Sequence, residues 1–423
     1  MNTNSSSFKK IGLGGAAGTA SLALGIALVG AFYGCSSSSP SSGTPENDAG
    51  NEPDAASSGS DATSPVVDSG SGADTGTADT GTTITAQKVA ETKLFSNLDG
   101  GAPVIDPNLQ NPWGLAFAPT GTVWISENGT DLLAIYPTLS TSIQGVAVTP
   151  PGDAGSASPS GQLFNANSKG ADGGVGAFKG DLFIASTESG TIAGWQPADV
   201  KTAVNEVDNS SKGAVYKGLT VIPTTPPVLA AVDFHNNKID LFDSNYAPIA
   251  PVAGKWVDST VPVGFAPFNI AAIGTSVYVA YAKQDDPANA MDDAKGAGNG
   301  ALSVFQQDGT FVKSLISAGA GGTLNSPWAI TAIPAGGWGS LPAGALLVGN
   351  FGDGTVGAYD ATSGAAVGRL VTTTGAPLIL DGLWALVYGV NNPDAGISTN
   401  QLFFTAGPND EANGLYGYLT PTP

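Results

Sequence analysis

A ten-residue frame recurs four times along this chain. It reads ENGTDLLAIY from Glu127, STESGTIAGW from Ser186, DFHNNKIDLF from Asp233 and NFGDGTVGAY from Asn350. In each copy a small or polar residue ends an apolar strand, turn residues follow, and an aromatic residue ends the next strand. Strand-turn-strand units that recur every roughly 40 to 60 residues are typical of β-propellers. The sequence therefore predicts a ring of small sheets, with any functional site at the mouth of the central channel.

A second landmark precedes the frame and predicts the number of blades. Each copy places Pro or Gly just before a short strand of small and apolar residues, which suits a channel wall where backbones converge. The six copies are residues 111–117, 158–164, 216–221, 266–272, 326–332 and 381–387. We therefore predict an all-β, six-bladed β-propeller over residues 85–423. A strand at residues 85–95 is expected to complete the last blade and leave no open edge.

One insertion interrupts the fourth repeat. Residues 283–300 separate Tyr278–Tyr281 from Leu302–Phe305, so we predict two paired strands joined by a long loop. Loops of this length are usually functional or disordered. The acidic stretches at residues 285–293 and 408–413 are predicted to be solvated surface, with calcium binding as the alternative.

The N-terminal segment predicts export. Lys9 and Lys10 precede an uncharged stretch, residues 11–34, that ends at the single cysteine, Cys35. A basic region followed by an apolar region is typical of a secretory signal, here residues 1–35. Gly34 before Cys35 resembles a bacterial lipobox, and this resemblance implies a lipid on Cys35. A membrane-spanning anchor and ordinary signal cleavage are the alternatives.

Residues 36–84 read as a tether. They contain carboxylates, Ser, Gly, Thr and Pro, but no aromatic residue, Lys or Arg. Such a segment buries too little apolar surface to fold and is predicted to be a disordered linker. Signal and linker together predict a protein lipid-anchored at the bacterial cell envelope, at the outer membrane or cell surface, facing the periplasm or the exterior.

Charge and composition exclude several function classes. The formal net charge of −20 argues against nucleic-acid binding and against electrostatic attachment to lipid, so membrane contact is expected only through the anchor. One cysteine and one histidine exclude a disulfide framework and multi-histidine zinc sites. His235 is predicted to be a turn residue rather than a catalytic base. The GDGTVG stretch at residues 352–357 lies in a predicted hairpin rather than before a helix, which argues against a nucleotide site.

Most of the chain, from about Asp106 to Pro421, resembles an uncharacterised bacterial family of NHL-like β-propellers. The resemblance is carried by segments such as DPNLQNPWGLAF, AAVDFHNNKIDLFDSN, LLVGNFGDGTVGAYD and FFTAGPNDEANGLYGY. It implies the propeller fold and no assigned reaction.

Two polar residues begin predicted channel strands. Asn269 and Asp381 stand where most copies have Gly or Ala. They are similar to elements of gluconolactonase-like propellers, which hold one divalent metal on the channel axis. That similarity implies a divalent metal bound by Asn269 and Asp381. The polar column of the frame, which includes Glu127 and Asp233, offers further oxygen ligands for Ca²⁺ or another divalent cation.

The alternative for these polar residues is structural. The polar column of the frame comprises Glu127, Ser186, Asp233 and Asn350, extended by Asp285 and Asn409. Asp and Asn side chains at turns commonly accept backbone N–H groups, which would leave them no role in ligand binding. Asn269 and Asp381 could likewise serve only as hydrogen-bonding residues.

Four aromatic residues recur in register on the inner landmark: Trp113, Phe268, Trp328 and Trp384. They predict either packing between blades or an aromatic platform at the channel mouth for a sugar or peptide.

These observations favour a non-catalytic binding or scaffold module that uses the channel mouth and loop rims to hold an envelope protein or a glycan. The alternative is a divalent-metal-dependent, lactonase-like hydrolase, in which the ion acts as a Lewis acid on a carbonyl oxygen. A purely structural surface protein, without a concave site, is the third possibility.

Overall fold

A computed structural model describes residues 84–153, 155–171, 173–286 and 289–423. The predicted signal with Cys35, and the predicted linker apart from Ile84, lie outside the described residues. The described part is all-β, as predicted, with strands joined by turns and short 3₁₀ helices. No helix within it is long and apolar enough to cross a lipid bilayer.

The strands have the following bounds. The first thirteen are β1 (Thr85–Ser96), β2 (Val104–Ile105), β3 (Pro112–Phe117), β4 (Val123–Glu127), β5 (Leu132–Thr138), β6 (Thr141–Ala147), β7 (Pro159–Phe164), β8 (Phe183–Thr187), β9 (Thr191–Trp195), β10 (Val204–Asp208), β11 (Tyr216–Ile222), β12 (Val228–Asp233) and β13 (Lys238–Phe242). The others are β14 (Pro248–Ile249), β15 (Phe265–Ile273), β16 (Ser276–Lys283), β17 (Gly300–Gln306), β18 (Phe311–Ile316), β19 (Pro327–Ala332), β20 (Leu346–Asn350), β21 (Val356–Tyr359), β22 (Ala366–Thr372), β23 (Leu383–Tyr388), β24 (Leu402–Ala406) and β25 (Leu415–Pro421). The 3₁₀ helices are Asn128–Thr130, Pro151–Asp153, Phe178–Gly180, Pro197–Asp199, Ser210–Lys212 and Pro393–Ala395.

The strands form four four-stranded sheets and one larger sheet. The small sheets are β3 to β6, β7 to β10, β11 to β14 and β15 to β18, each built from antiparallel neighbours in chain order. The nine-stranded sheet runs β19-β20-β21-β22-β1-β25-β24-β23, and β2 pairs with β1. Within it β1 runs antiparallel to β25, so the N-terminal strand joins the last group of strands, as predicted. A parallel pairing of β1 with β22 links the two halves.

The first strand of each four-stranded group lies innermost, and these strands form a ring. In chain order β3, β7, β11, β15, β19 and β23 contact one another, and β23 contacts β3. This arrangement is that of a β-propeller with a central channel. The predicted strands on either side of the insertion pair with each other as β16 and β17.

The inner strands share a local irregularity. Each shows a register shift against its outer neighbour within its first five residues, as between Pro112 and Leu115 in β3 and between Tyr216 and Leu219 in β11. A β-bulge bends the strand and re-aims a side chain. The recurring shift places one residue of each of these strands at a break in the ladder, next to the channel: the second residue or, in β15, Phe268 after the proline.

Close approach between inner strands requires small residues. A Cβ on Gly114 would lie 2.3 Å from the backbone nitrogen of Gln162, and one on Gly218 would lie 2.0 Å from Oδ1 of Asn269. Larger aromatic residues pack between neighbouring sheets further out, as where Trp124 stacks on Phe183 with ring centroids 4.1 Å apart. The expectation that small residues line the channel is confirmed at these positions.

Candidate functional site at the channel mouth

The channel is crossed by one layer of side chains at its mouth, the end where the inner strands begin. The layer comes from the second residue of each inner strand or, in β15, its equivalent after the proline: Trp113, Ser160, Lys217, Phe268, Trp328 and Trp384.

Stacking and edge-to-face contacts hold this layer together. The rings of Trp113 and Trp384 stack with centroids 3.5 Å apart, and Trp328 stands almost perpendicular to both, at 6.2 and 5.9 Å. Phe268 lies 6.0 Å from Trp384. Exposure of the four aromatic residues is 5% or less, so they pack as a core and do not form an exposed platform. Trp113 lines a cavity on the mouth side and Trp328 lines a second cavity on the opposite side.

Lys217 is the single charged member of the layer. Its side chain is 1% exposed, and its Nζ forms ion pairs with Glu188 and, at 2.9 Å, with Oδ1 of Asp292. The same Nζ lies 5.1 Å from the ring centroid of Trp113, close enough for a cation–π interaction. Burial lowers the pKa of Lys217, but the two carboxylates outweigh burial and hold the pKa above its usual value. Lys217 is therefore a permanent buried cation.

A cavity of about 460 Å³, the mouth cavity, lies against this layer. It is lined by Trp113, Asn128, Ser156, Ser158, Glu188, Ser189, Met291, Asp292 and Glu411. Three carboxylates, three hydroxyls and one amide thus surround one aromatic ring. Such a wall offers both donors and acceptors for hydrogen bonds.

A hydrogen-bond network connects the aromatic layer to these carboxylates. Nε1 of Trp384 donates to Oδ1 of Asn111 at 2.9 Å, and Nδ2 of Asn111 donates to Oε2 of Glu411 at 2.8 Å. Nδ2 of Asn128 donates to Oε2 of Glu188 at 2.7 Å. Because buried polar groups that are satisfied in this way hold a single geometry, the network fixes the cavity wall.

Glu411 differs from the other two carboxylates of the cavity because it has no ion pair with Lys217 among the described contacts. Burial raises the pKa of Glu411 to about 7, and the Asn111 hydrogen bond opposes this increase. Glu188 and Asp292 raise the pKa further, while Lys217 lowers it. Glu411 therefore changes protonation near neutral pH.

The loop that carries Glu411 has a strained backbone. Asn409, Asp410 and Glu411 have φ of 60°, 55° and 66°, in the left-handed region that non-glycine residues rarely adopt. The backbone N–H of Asn409 donates to Oδ2 of Asp381 at 2.9 Å, and the N–H of Glu411 donates to the carbonyl of Gly407. Strain of this kind persists where surrounding contacts impose it, and it concentrates at functional sites.

The described residues of the insertion, 283–286 and 289–300, fold back over the mouth. They supply Asp292 to Lys217, and the carbonyl of Asn289 lies 2.8 Å from Nδ1 of His235. Nζ of Lys295 lies 4.5 Å from the ring centroid of Phe351. Asp292 keeps 70% of its side chain exposed, so this segment is both solvated surface and part of the cavity wall.

The side chains of the polar column accept backbone hydrogen bonds at or just ahead of the inner strands. Glu127, Asp233 and Asn350 each accept the backbone N–H of a residue just ahead of the inner strand, at 3.0 to 3.1 Å. Those donors are Gln110, Val215 and Asn325. Ser186 instead accepts the N–H of Gly161, which lies within the inner strand β7, at 3.0 Å. The side chains of this column therefore accept backbone N–H groups, as the alternative to ligand binding predicted.

The four residues expected to bind a metal do not converge. Nδ2 of Asn269 donates to the carbonyl of Trp328 at 2.7 Å, and its Oδ1 accepts the N–H of Ile270 at 2.8 Å. Asp381 is exposed and bonds the loop that carries Glu411, and Glu127 and Asp233 lie buried in their own sheets. Within the described residues no group of three or more His, Cys, Asp or Glu side chains is arranged to hold a metal ion.

Comparison with known proteins shows the family of this chain. The uncharacterised protein R648 of Acanthamoeba polyphaga mimivirus is 34% identical over 331 residues, which cover 77% of this chain and 78% of the viral protein. The chain belongs to the same family as this mimivirus protein. No family model matches the sequence. The relative is viral and uncharacterised, so the bacterial envelope stays a prediction.

Two solved structures of low sequence identity align with most of the described backbone. Virginiamycin B lyase from Staphylococcus aureus is 11% identical with a TM-score of 0.45, over 79% of this chain and 99% of that one. A calcium-binding protein, regucalcin, from Agrobacterium tumefaciens is 14% identical with a TM-score of 0.48, over 80% of this chain and 97% of that one.

Sequence reasoning missed Lys217. The signal was present, because Lys217 in YKGLTV occupies the slot that holds tryptophan in NPWGLAF and SPWAITA. A lysine on a strand that lines a narrow channel must find a buried partner or lose its charge.

Proposed function

We propose that this chain is a six-bladed propeller whose mouth cavity binds a neutral, hydroxyl-rich small molecule such as a saccharide. The six blades are the four small sheets together with the two halves of the nine-stranded sheet, β19 to β22 and β23 to β25 with β1. A crystal structure with five or seven blades would contradict that part of the proposal.

The observation that carries the ligand class is the ion-paired network around Lys217, in which both carboxylates that contact the lysine are already bonded to it. Glu188 and Asp292 are committed to the lysine, so their remaining capacity is to accept hydrogen bonds. An anionic ligand would approach three carboxylates. A cationic ligand would have to compete with a lysine that is already in place. Hydroxyl groups both donate and accept, and they match the Ser, Asn and carboxylate wall beside Trp113.

An oligosaccharide array tests this directly, with the full chain applied to neutral, acidic and amino sugars. We expect a neutral sugar to bind best and Asn128→Ala to weaken its binding about 10-fold, because the Asn128 amide holds Glu188 of the cavity wall in place. The matched control is Asn400→Ala, since Asn400 is exposed and lies outside the cavity wall. Preference for acidic or amino sugars, or no sugar binding, would overturn the proposal.

Hydrolysis is a second candidate, supported by the position of Glu411. A carboxyl group whose pKa is about 7 shares the cavity with the ion-paired Glu188. Glycoside hydrolysis uses two carboxyl groups, one of which donates a proton to the leaving oxygen. Glu411 would be that donor. Release of reducing ends should then be abolished in Glu411→Gln while sugar binding changes by less than about 3-fold; undiminished release in this variant would exclude the role.

For location, we propose export with a lipid on Cys35. The support is the basic stretch with Lys9 and Lys10, the uncharged residues 11–34 and Gly34 before the cysteine. Intact-mass measurement of the mature protein would show diacylglycerol on an N-terminal Cys35. A mature chain that begins after Cys35 would contradict the anchor.

A further inference from the structure

The structure assigns a second ligand site, on the far side of the aromatic layer from the mouth cavity, to a neutral molecule that combines an apolar body with a hydrogen-bond-accepting oxygen. This site is a cavity of about 620 Å³, the channel cavity, lined by the later residues of the inner strands. Its volume lies within the range of small-molecule sites. It is independent of the sugar site proposed above, because Trp328, which bounds it, is a member of the layer between them.

The channel cavity has no charged residue in its wall, although the chain has a formal net charge of −20. Leu115, Leu219, Ile270, Ile330 and Leu386 supply apolar surface from five of the six inner strands. An ionised ligand would lose its hydration there without gaining a counter-charge, which is costly. The wall therefore selects a neutral ligand with an apolar body.

The polar part of the ligand is indicated by unpaired groups in the wall. Gln162, Trp328 and Tyr388 all line the channel cavity, and each carries a buried polar atom without a hydrogen-bond partner among the described residues: Nε2, Nε1 and the phenolic oxygen. The amide of Gln162 is oriented by Ser126, whose Oγ donates to Oε1 at 3.0 Å. Its N–H groups are thus left to seek an acceptor.

These three unpaired groups distinguish the cavity from a simple gap in packing. A buried donor without an acceptor destabilises the protein, and a ligand oxygen that pairs with it removes that cost. Asn269, which also lines the cavity, is different because both ends of its amide are already bonded within the protein. Recognition is therefore expected to depend on Gln162 and not on Asn269.

The test uses prodan, a neutral naphthalene dye with one ketone oxygen, titrated into the full chain and followed by its emission shift. We expect one saturable site. Ala271→Trp, which fills the cavity from its wall, should weaken binding at least 20-fold. Ala365→Trp, an exposed turn position, is the matched control and should bind like the unmodified chain. Absence of saturable binding, or equal binding to Ala271→Trp, would overturn the assignment.

A second comparison isolates the hydrogen bond. Gln162→Leu should weaken prodan binding about 5- to 10-fold. The same substitution should change the binding of dimethylaminonaphthalene, which lacks the ketone, by less than about 2-fold. An equal loss for both dyes would remove Gln162 from ligand recognition. Thermal unfolding of each variant separates these effects from loss of the fold, and sugar binding at the mouth should stay unchanged throughout.

Discussion

The two ends of the channel are built on the same six strands but have opposite chemistry. On the mouth side the cavity is lined by three carboxylates above a buried lysine, with Asn111 and Asn128 linking them. On the other side the wall is uncharged and mostly aliphatic. The difference lies in which part of each strand faces the cavity, and in the loops that surround the mouth. A repeat therefore fixes the shared scaffold, while irregular loops supply the chemistry.

The largest expected effect comes from removing the boundary between the two ends. Trp328→Ala should lower the free energy of unfolding by about 3–5 kcal/mol, because the ring packs at the edges of Trp113 and Trp384. Denaturant unfolding measures this. Trp256→Ala, at a half-buried site outside the layer, should cost less than half as much. Equal losses would mean that the layer has no special role.

Lys217→Met tests the charged end. The substitution leaves Glu188 without its cation, and we expect unfolding to become easier by about 2–3 kcal/mol, less than for a fully buried pair because Asp292 is largely exposed. Adding Glu188→Gln should restore part of the loss. As the control, Lys255→Met removes a surface ion pair with Asp308 and should leave the unfolding midpoint nearly unchanged. A silent Lys217→Met would contradict the network.

Glu411→Gln has the smallest effect, and it depends on pH. Burial raises the folded-state pKa of Glu411 to about 7, so the folded state favours the neutral carboxyl. The stability associated with that form is complete below about pH 4.5 and is lost as pH rises through about 7. As the pH rises from 5 to 8, the free energy of unfolding of the variant should increase relative to that of the unmodified chain by on the order of 1–2 kcal/mol. The control Glu91→Gln, at an exposed position, should show no such increase over that interval. If the difference in unfolding free energy between Glu411→Gln and the unmodified chain does not change with pH, the surroundings of Glu411 do not perturb it.

The sequence predicted the scaffold better than the site, for a physical reason. Inner strands such as β3 and β15 fall where the repeated landmark places them, because packing around a ring imposes the same pattern on every blade. Lys217 breaks that pattern once. Its partners Glu188 and Asp292, and the nearby Glu411, come from three loops of unrelated sequence. Their meeting depends on the folded ring, which no local pattern records.

The predicted metal site also shows that a local sequence pattern does not determine which side chains meet in the folded ring. Asn269 follows the layer residue Phe268 by one position and faces the channel cavity, whereas Asp381 precedes the layer residue Trp384 by three positions and supports the loop that carries Glu411. A place near the start of the repeated landmark therefore did not bring these two side chains to one site, because Asp381 lies before the bulge of its blade and Asn269 lies after the bulge of its own.

Titration with both ligands tests most directly whether the aromatic layer separates two independent binding sites. The full chain would be titrated calorimetrically with the neutral oligosaccharide selected on the array, first alone and then with prodan at saturation. If the aromatic layer divides two independent sites, the sugar dissociation constant should change by less than about 2-fold. Displacement of either ligand by the other would show that the channel is one continuous site, and the division into two ends would be wrong.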